Sequence, residues 1–384
     1  MVTACFSTTI QSESIIQDCI FVFKHTGDKT LLMEPLSRHS IKHGEGDMAM
    51  AGNSNLHMSR SGKTDEFYTQ LSTIEDELRH YRKYFKGKVV FCNADDPAIG
   101  EDGHDHFGDG AGGYTSNFFR YFQLNFQQLG LKKLITTHYE ANKPSYKFEI
   151  VSNDDGEQIG LPDYIKTPLK GDGDFRSPEC LALLEECDIV VTNPPFSLMK
   201  EYLPLMVNSG KLFLILGNMN HALFAENFVY FKENRVWLGY NNGHFWFRVP
   251  DHYEAKQTDF KIDESGQKWR RMGNICWFTN MDIEKRHQPL DLFRTYNPDD
   301  YPTYDTYDAI ECGRCSEIPI DTDKVIGVPV TFLAQHCAEQ FEIVGEFKHG
   351  CDSEFDLAVP VVNGKSKYMR VAIRHRAPIK TGDE

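Results

Sequence analysis

Several features are missing from this 384-residue sequence, and each absence removes a class of function. No apolar run approaches the ~20 residues that a membrane-spanning helix needs. Stretches such as Ile20–Phe23 and Leu212–Leu216 are among the longest. The first residues lack a basic segment followed by an apolar one, so no secretion signal is expected. A soluble, cytoplasmic chain with no membrane partner follows. A disulfide framework is also missing: the ten cysteines are scattered and read as reduced thiols. The CxxC pair Cys312-Gly-Arg-Cys315 has no second pair of ligands at matching spacing, with only His336 and Cys337 nearby, so no metal is expected. Positive charge is scarce, with 41 basic against 56 acidic residues and a net charge of −15. On its face that balance argues against nucleic-acid binding. It does not exclude a local basic face, and Arg79 to Lys88, Lys268 to Arg271 and Lys365 to Arg376 supply three.

What remains is a globular enzyme-sized chain, 40% hydrophobic and 25% charged, enough to build a core. Residues 1–60 read as a poorly ordered N-terminal arm. From Asp65 the residues Phe67, Leu71, Ile74 and Leu78 recur at helical steps. Lys88 to Cys92 reads as a buried strand that stops at Asn93-Ala-Asp-Asp-Pro97. Residues 98–113 form an acidic, glycine-rich loop, and a helix follows that ends at Gly130. Leu134 to Thr137 is a second strand, ending at His138-Tyr-Glu140, and 146–160 looks like a hairpin. Gly171 to Phe175 leads to a helix near Ser177–Glu186, then to the strand Asp188–Thr192, a helix over Leu198–Val207 and the strand Lys211–Leu216. Strands alternating with helices predict a parallel, doubly wound α/β sheet. Such sheets bind ligands beyond the carboxyl ends of their strands. The polar clusters 93–96, 139–140, 172–175 and 193–196 all fall on that rim.

Asn193-Pro194-Pro195-Phe196 is the sharpest of these. A plain turn is the ordinary use of Asn-Pro. Here, however, the motif follows an apolar strand directly, two prolines stiffen it and an aromatic residue closes it. The residue types suit the methylation of an exocyclic base amine, a poor nucleophile whose lone pair is delocalised into the ring. An asparagine side-chain oxygen and a proline carbonyl can accept its two N–H groups and disperse the positive charge that develops. The aromatic ring offers a face on which a flipped base stacks. A sulfonium donor held at the strand ends then needs neither metal nor covalent intermediate. Asn93, Asp95 and Asp96 after the first strand, Glu140 after the second, and Asp174 with Phe175 are the candidate donor contacts. The glycine-rich FxGxG turn common after such a first strand is absent.

Six blocks in order carry a resemblance: Asp65 to Thr69, Phe91 to Pro97, Ser116 to Phe122, Leu131 to Ile135, Asp188 to Ser197 and Cys276 to Asn280. Together they resemble the EcoRI-type adenine-specific DNA methyltransferases. Gly327 to Leu333, Glu339 to Ile343 and Tyr368 to Arg374 resemble the same family's C-terminal part. The resemblance covers residues 60–376 and leaves the N-terminal arm outside it. It implies a Rossmann-like S-adenosylmethionine-dependent methyltransferase sheet with C-terminal β-rich additions, and N6 methylation of a flipped adenine in double-stranded DNA. It places Asn193, Pro194, Pro195 and Phe196 as the catalytic motif. It also makes Phe67, Tyr68 and Thr69 part of a segment that closes over the cofactor. Residues 98–115 depart from the family pattern, which passes almost directly from the Asp-Asp-Pro turn to Ser-Asn-Phe.

In the C-terminal half, His244 to Arg248 and Lys268 to Arg271 interleave aromatic and basic residues. Arg270, Arg271, Arg370, Arg374 and Arg376 are candidate DNA contacts. The expected organisation is an extension over 1–60, a catalytic domain over 61–250 and a C-terminal part over 251–384 that completes the fold and helps to recognise DNA. A monomer is expected, with any restriction endonuclease of the same site acting separately. Two alternatives stay open: an RNA methyltransferase acting on guanine N2 of ribosomal RNA, and a non-catalytic nucleic-acid-binding module.

Overall fold

A computed structural model describes residues 67–95, 116–152, 164–250, 253–349 and 354–379. The N-terminal arm 1–60, the interval 98–115 and Asp96 lie outside the described residues. The first helix, α1 (Leu71–Leu78), begins later than its apolar periodicity predicts. Ahead of it, Tyr68 exchanges both backbone hydrogen bonds with Arg248, at 3.0 and 3.1 Å, and this holds Phe67 and Tyr68 extended.

The chain continues through β1 (Val89–Cys92), α2 (Asn117–Leu129), β2 (Lys133–Thr137), β3 (Tyr146–Val151), β4 (Tyr164–Pro168) and α3 (Pro178–Glu186). It then forms β5 (Ile189–Thr192), α4 (Met199–Ser209), β6 (Leu212–Asn218), α5 (Ala225–Lys232), β7 (Trp237–Arg248), β8 (Phe260–Ile262) and β9 (Lys268–Thr279). The strand order is β4-β3-β2-β1-β5-β6-β9-β7, with β8 paired to β9. Only the centre, β2-β1-β5-β6, is parallel. The flanks are antiparallel because β2, β3 and β4 follow one another without a crossover helix, and β9 returns against β6 and β7. The sheet is therefore mixed, where the sequence pattern predicts a parallel one. All four residues of β1 and of β5 are buried, as strands covered on both faces must be.

From β1 the chain crosses to β2 on one side, and α3 brings it back to β5 on the other. The carboxyl ends of β1 and β5 therefore flank the point where the winding reverses, the usual ligand position in such sheets. Asp188 ties the other ends together, accepting from Val89 N at 2.9 Å and pairing with Lys88 at 3.3 Å. The buried Glu77 carboxylate of α1 accepts Tyr240 N and Asn241 N at 2.8 Å each, where β7 bulges against β9. A side chain at Gly239 would collide with it, since a Cβ there would lie 2.2 Å from Glu77 Oε1.

Residues 251–384 supply β8 and β9 of this sheet and then a second one. Its members are β10 (Ala309–Glu311), β11 (Val325–Pro329), β12 (Phe341–Phe347), β13 (Asp356–Ala358) and, after the small pair β14 (Val361–Val362) and β15 (Lys365–Ser366), β16 (Arg370–His375). Its order is β10-β11-β16-β12-β13. One buried cluster contains Phe213, Phe228 and Phe278 together with Ile326, Phe341 and Ile373, so the two sheets share a core. Among the described residues no helix is long and apolar enough to cross a membrane.

Candidate active site

Asn193 leaves the sheet because the residues after it cannot stay in it. Prolines 194 and 195 have no N–H for a ladder, and their φ is fixed. The chain turns at once into the short helical segment Phe196–Leu198, with Leu198 N bonded to Pro195 O at 3.0 Å, and then into α4. Pro194 is buried, Pro195 is exposed and Phe196 is 3% exposed.

The Asn193 side chain is held from one end only. Its Nδ2 donates to the Phe67 carbonyl at 2.6 Å. Its Oδ1 is buried and has no hydrogen-bond partner among the described residues. The Phe67 ring stacks on Phe196 with centroids 6.0 Å apart, and also meets Phe247 and Tyr253 edge-on at 5.8 and 6.3 Å. The structure thus brings Phe67 and the Asn193–Phe196 turn together. Tyr68 is bound to β7, and the Thr69 carbonyl accepts from Asn117 Nδ2 at 2.7 Å. Thr69 Oγ1 is buried without a partner among the described residues.

One residue upstream, Thr192 Oγ1 lies 2.8 Å from Asn93 O and 2.5 Å from Asp95 Oδ2. Ser116, which caps α2, donates to Asp95 Oδ1 at 2.7 Å. Thr137 Oγ1 accepts from Asn93 Nδ2 and Ala94 N, both at 3.0 Å. Asn93 and Asp95 therefore lock the ends of β1, β2 and β5 to the start of α2. Ala94 occupies the left-handed region with φ 56°, a conformation that glycine adopts without strain. This is the turn in which the FxGxG glycines are absent.

Glu140 and the Asp172–Phe175 loop lie side by side, with Glu140 N bonded to Asp172 O at 3.0 Å. Gly173 makes the approach possible, because a Cβ there would fall 1.9 Å from His138 O. The Asp174 carboxylate receives a two-pronged contact from Arg176 at 2.9 and 2.7 Å, which holds its pKa below the usual carboxylate range. Glu140 is exposed and paired with Lys143. Phe175 is 8% exposed, packed on Tyr202 at 4.9 Å and covered by the Arg176 guanidinium.

No solved structure matches the chain. Residues 55–376 match the family described as adenine-specific methyltransferase EcoRI. The chain is 42% identical over 339 residues to Type II methyltransferase M.EcoRI of Escherichia coli, covering 85% of this chain and 98% of that protein. It is 35% identical to Type II methyltransferase M.MpnI of Mycoplasma pneumoniae, over 83% of this chain and 97% of that one. Type II methyltransferase M.MgeORF184P of Mycoplasma genitalium is 34% identical over 82% and 97%. The chain belongs to the EcoRI-type adenine-specific DNA methyltransferases. The RNA-methyltransferase and non-catalytic readings are not favoured by this membership.

The candidate DNA contacts of this methyltransferase lie in two places. Arg270 and Arg271 sit on β9, between β7 and β8. Arg270 donates to Thr258 O at 2.6 Å and also contacts the Tyr253 hydroxyl, one ring away from Phe67. Arg271 pairs with Asp259 at 3.4 Å on the surface. Arg370 and Arg374 belong to β16 of the second sheet. Arg370 is engaged by the buried Glu311 at 2.8 Å, Arg374 pairs with Glu342 at 3.1 Å, and Arg376 donates to Ala338 O at 2.6 Å. Sequence reasoning missed Thr192, Thr137 and Tyr253, and reached Phe247 only as part of the aromatic–basic stretch His244 to Arg248. Thr192 and Thr137 carried a signal, since each is a hydroxyl residue ending a buried strand. Tyr253 gave none beyond being aromatic.

Proposed function

We propose that this chain is a site-specific adenine-N6 methyltransferase that uses S-adenosylmethionine and acts on an adenine flipped out of duplex DNA. The observation that carries this reading is the Asn193 amide, fixed through Nδ2 on Phe67 O while its buried Oδ1 has no partner among the described residues. An amide anchored in that way presents an acceptor to whatever binds, and a base amine brings a donor.

The residues at the strand ends fit the methyl donor. The unpartnered Thr69 Oγ1 lies beside Asn117 in the first turn of α2, and a hydroxyl with a helix N-terminus suits a carboxylate. Asp95, Asp96, Glu140 and Asp174 follow the strands where ribose hydroxyl and ammonium groups are bound in folds of this kind, with Asn93, Tyr68 and Phe175 completing the set. When bound, S-adenosylmethionine supplies a sulfonium methyl whose C–S bond breaks as the N–C bond forms. Asn193 Oδ1 and the Pro194 carbonyl accept the two N–H groups of the amine. This favours the pyramidal nitrogen and disperses its charge, and the spare proton then passes to water. Entry of the base has to part Phe67 from Phe196, because Phe67 lies over the ring on which the base stacks.

Arg270, which contacts the Tyr253 hydroxyl one ring away from Phe67, is the strongest candidate for DNA contact. Arg271 and Arg374 are each held by one surface carboxylate, and Arg370 is committed to the buried Glu311. In the same proposal the chain acts as a cytoplasmic monomer, and a separate endonuclease reads the same site; relatives named Type II methyltransferases support the second part alone. The organisation into an arm, a catalytic domain and a C-terminal recognition part belongs to the same proposal.

Incubation with labelled methyl donor and either duplex DNA or ribosomal RNA tests it. N6-methyladenine in the DNA alone is expected, and label at guanine N2 of the RNA would overturn it. Methylation-aware sequencing of DNA from an expressing host then gives the site.

A further inference from the structure

The turn after β6 holds a second buried polar group that the chemistry above does not use. His221 lies in the helical turn Met219–Leu223, at the strand end next to the Asn193 turn. Its Nδ1 accepts from the Asn218 backbone N–H at 3.2 Å. A backbone N–H can only donate, so Nδ1 is bare and the ring proton sits on Nε2. Nε2 is buried and has no partner among the described residues, and the whole residue is 0% exposed. Burial holds its pKa down at about 3, so the ring is neutral at ordinary pH. A fixed, neutral N–H donor without an acceptor is costly and rare in a folded protein. The ring stands edge-on to Phe196, with centroids 5.5 Å apart and planes at 76°.

The surroundings of Phe196 thus contain an unpaired acceptor, Asn193 Oδ1, and an unpaired donor, His221 Nε2–H. Adenine presents the matching pair on either edge: an amine donor beside a ring-nitrogen acceptor, N1 on one edge and N7 on the other. Guanine and thymine carry a carbonyl where adenine has the amine.

We propose that His221 is a specificity-determining residue of the acceptor pocket, donating from Nε2 to the ring nitrogen beside the target amine. This rests on the role given to Asn193 above. Base entry that parts Phe67 from Phe196 exposes both groups together.

The test is a cycle between variant and substrate in single-turnover methyl transfer. It uses the full-length protein and duplexes carrying adenine, 1-deazaadenine or 7-deazaadenine at the mapped target. His221→Leu is expected to slow transfer to adenine by on the order of 10- to 100-fold. One of the two deaza analogues is expected to slow the wild type by a similar factor and to leave the variant indifferent. His221→Gln, which keeps a donor, should recover part of the rate. The inference is overturned if His221→Leu matches the wild type on adenine, or if it loses the same factor on all three bases. Should the leucine variant not fold, the wild type decides alone: equal rates on all three bases overturn the inference, and selective loss on one analogue supports it. Asn193→Ala, run in parallel, separates the two roles. Inactivity of that variant with an additive His221 cycle removes only the role of His221. Full activity of Asn193→Ala removes the reading of the site itself.

Discussion

Around Glu311 in the second sheet both carboxylate oxygens are engaged. Arg370 reaches Oε1 at 3.0 and 2.8 Å, and the Tyr304 hydroxyl reaches Oε2. Around Phe196 at the carboxyl edge of the first sheet, Asn193 Oδ1 and His221 Nε2 are buried without a partner among the described residues, and so is Thr69 Oγ1 in the segment beside it. The two regions share their degree of burial and differ in satisfaction. A saturated cluster holds a sheet together, whereas an unsaturated one carries a cost that a ligand can relieve. The arginine most securely placed by its neighbours is thus the one least available to DNA.

The largest effect that sharpens this contrast is expected from Asn193→Ala. Single-turnover transfer should fall on the order of a thousandfold, as when one partner of a developing charge is removed. Donor affinity by calorimetry should change little. In the saturated cluster, Glu311→Ala should cost about 2–3 kcal/mol of unfolding free energy in urea, because the half-buried Arg370 and the buried Tyr304 hydroxyl lose their shared acceptor. The salt dependence of DNA binding should stay as it was. A folded, stable Glu311→Ala protein that binds DNA more weakly would contradict the division between the regions.

Acid separates the regions next. The pKa of His221 is depressed by burial to about 3 in the folded chain, against an ordinary value near 6.5. The unfolded chain therefore takes up the proton first. Stability is full above ~6.5 and falls as the pH drops from there toward 3, by about 2 kcal/mol at pH 5. Urea midpoints across that range should lose this slope in His221→Leu, and a slope that persists unchanged would assign the titration elsewhere. Phe196→Ala should weaken capture of the flipped base by about 1–3 kcal/mol, read from 2-aminopurine fluorescence at the target. The smallest effect is at the turn after β1: Ala94→Gly should add about 0.5–1 kcal/mol by relieving the left-handed backbone, with transfer unimpaired.

The central strands and their helices were legible because their apolar runs are short, bounded and separated by periodic segments. The motif was legible because four adjacent residues carry it. What makes the motif specific was not. Asn193 is oriented by a carbonyl 126 residues away, and Arg370 is claimed by a carboxylate 59 residues away. A charge or an amide in a sequence does not announce its partner at such separations. Phe67 fits a helical period as written, and only the backbone pairing of Tyr68 with Arg248 takes it out of the helix and onto Phe196. The β3–β4 hairpin was legible near 146–160, although its second strand lies later, at Tyr164–Pro168; the return of β9 against β6 escaped notice because the period of an apolar strand is the same in either direction.

The most direct measurement is the structure of the protein bound to duplex DNA with its target adenine. The account predicts Asn193 Oδ1 within hydrogen-bond distance of N6 of a flipped adenine, with Nδ2 still on the Phe67 carbonyl. An extruded base lying elsewhere, with Oδ1 still unpaired or bonded to the protein, would contradict it.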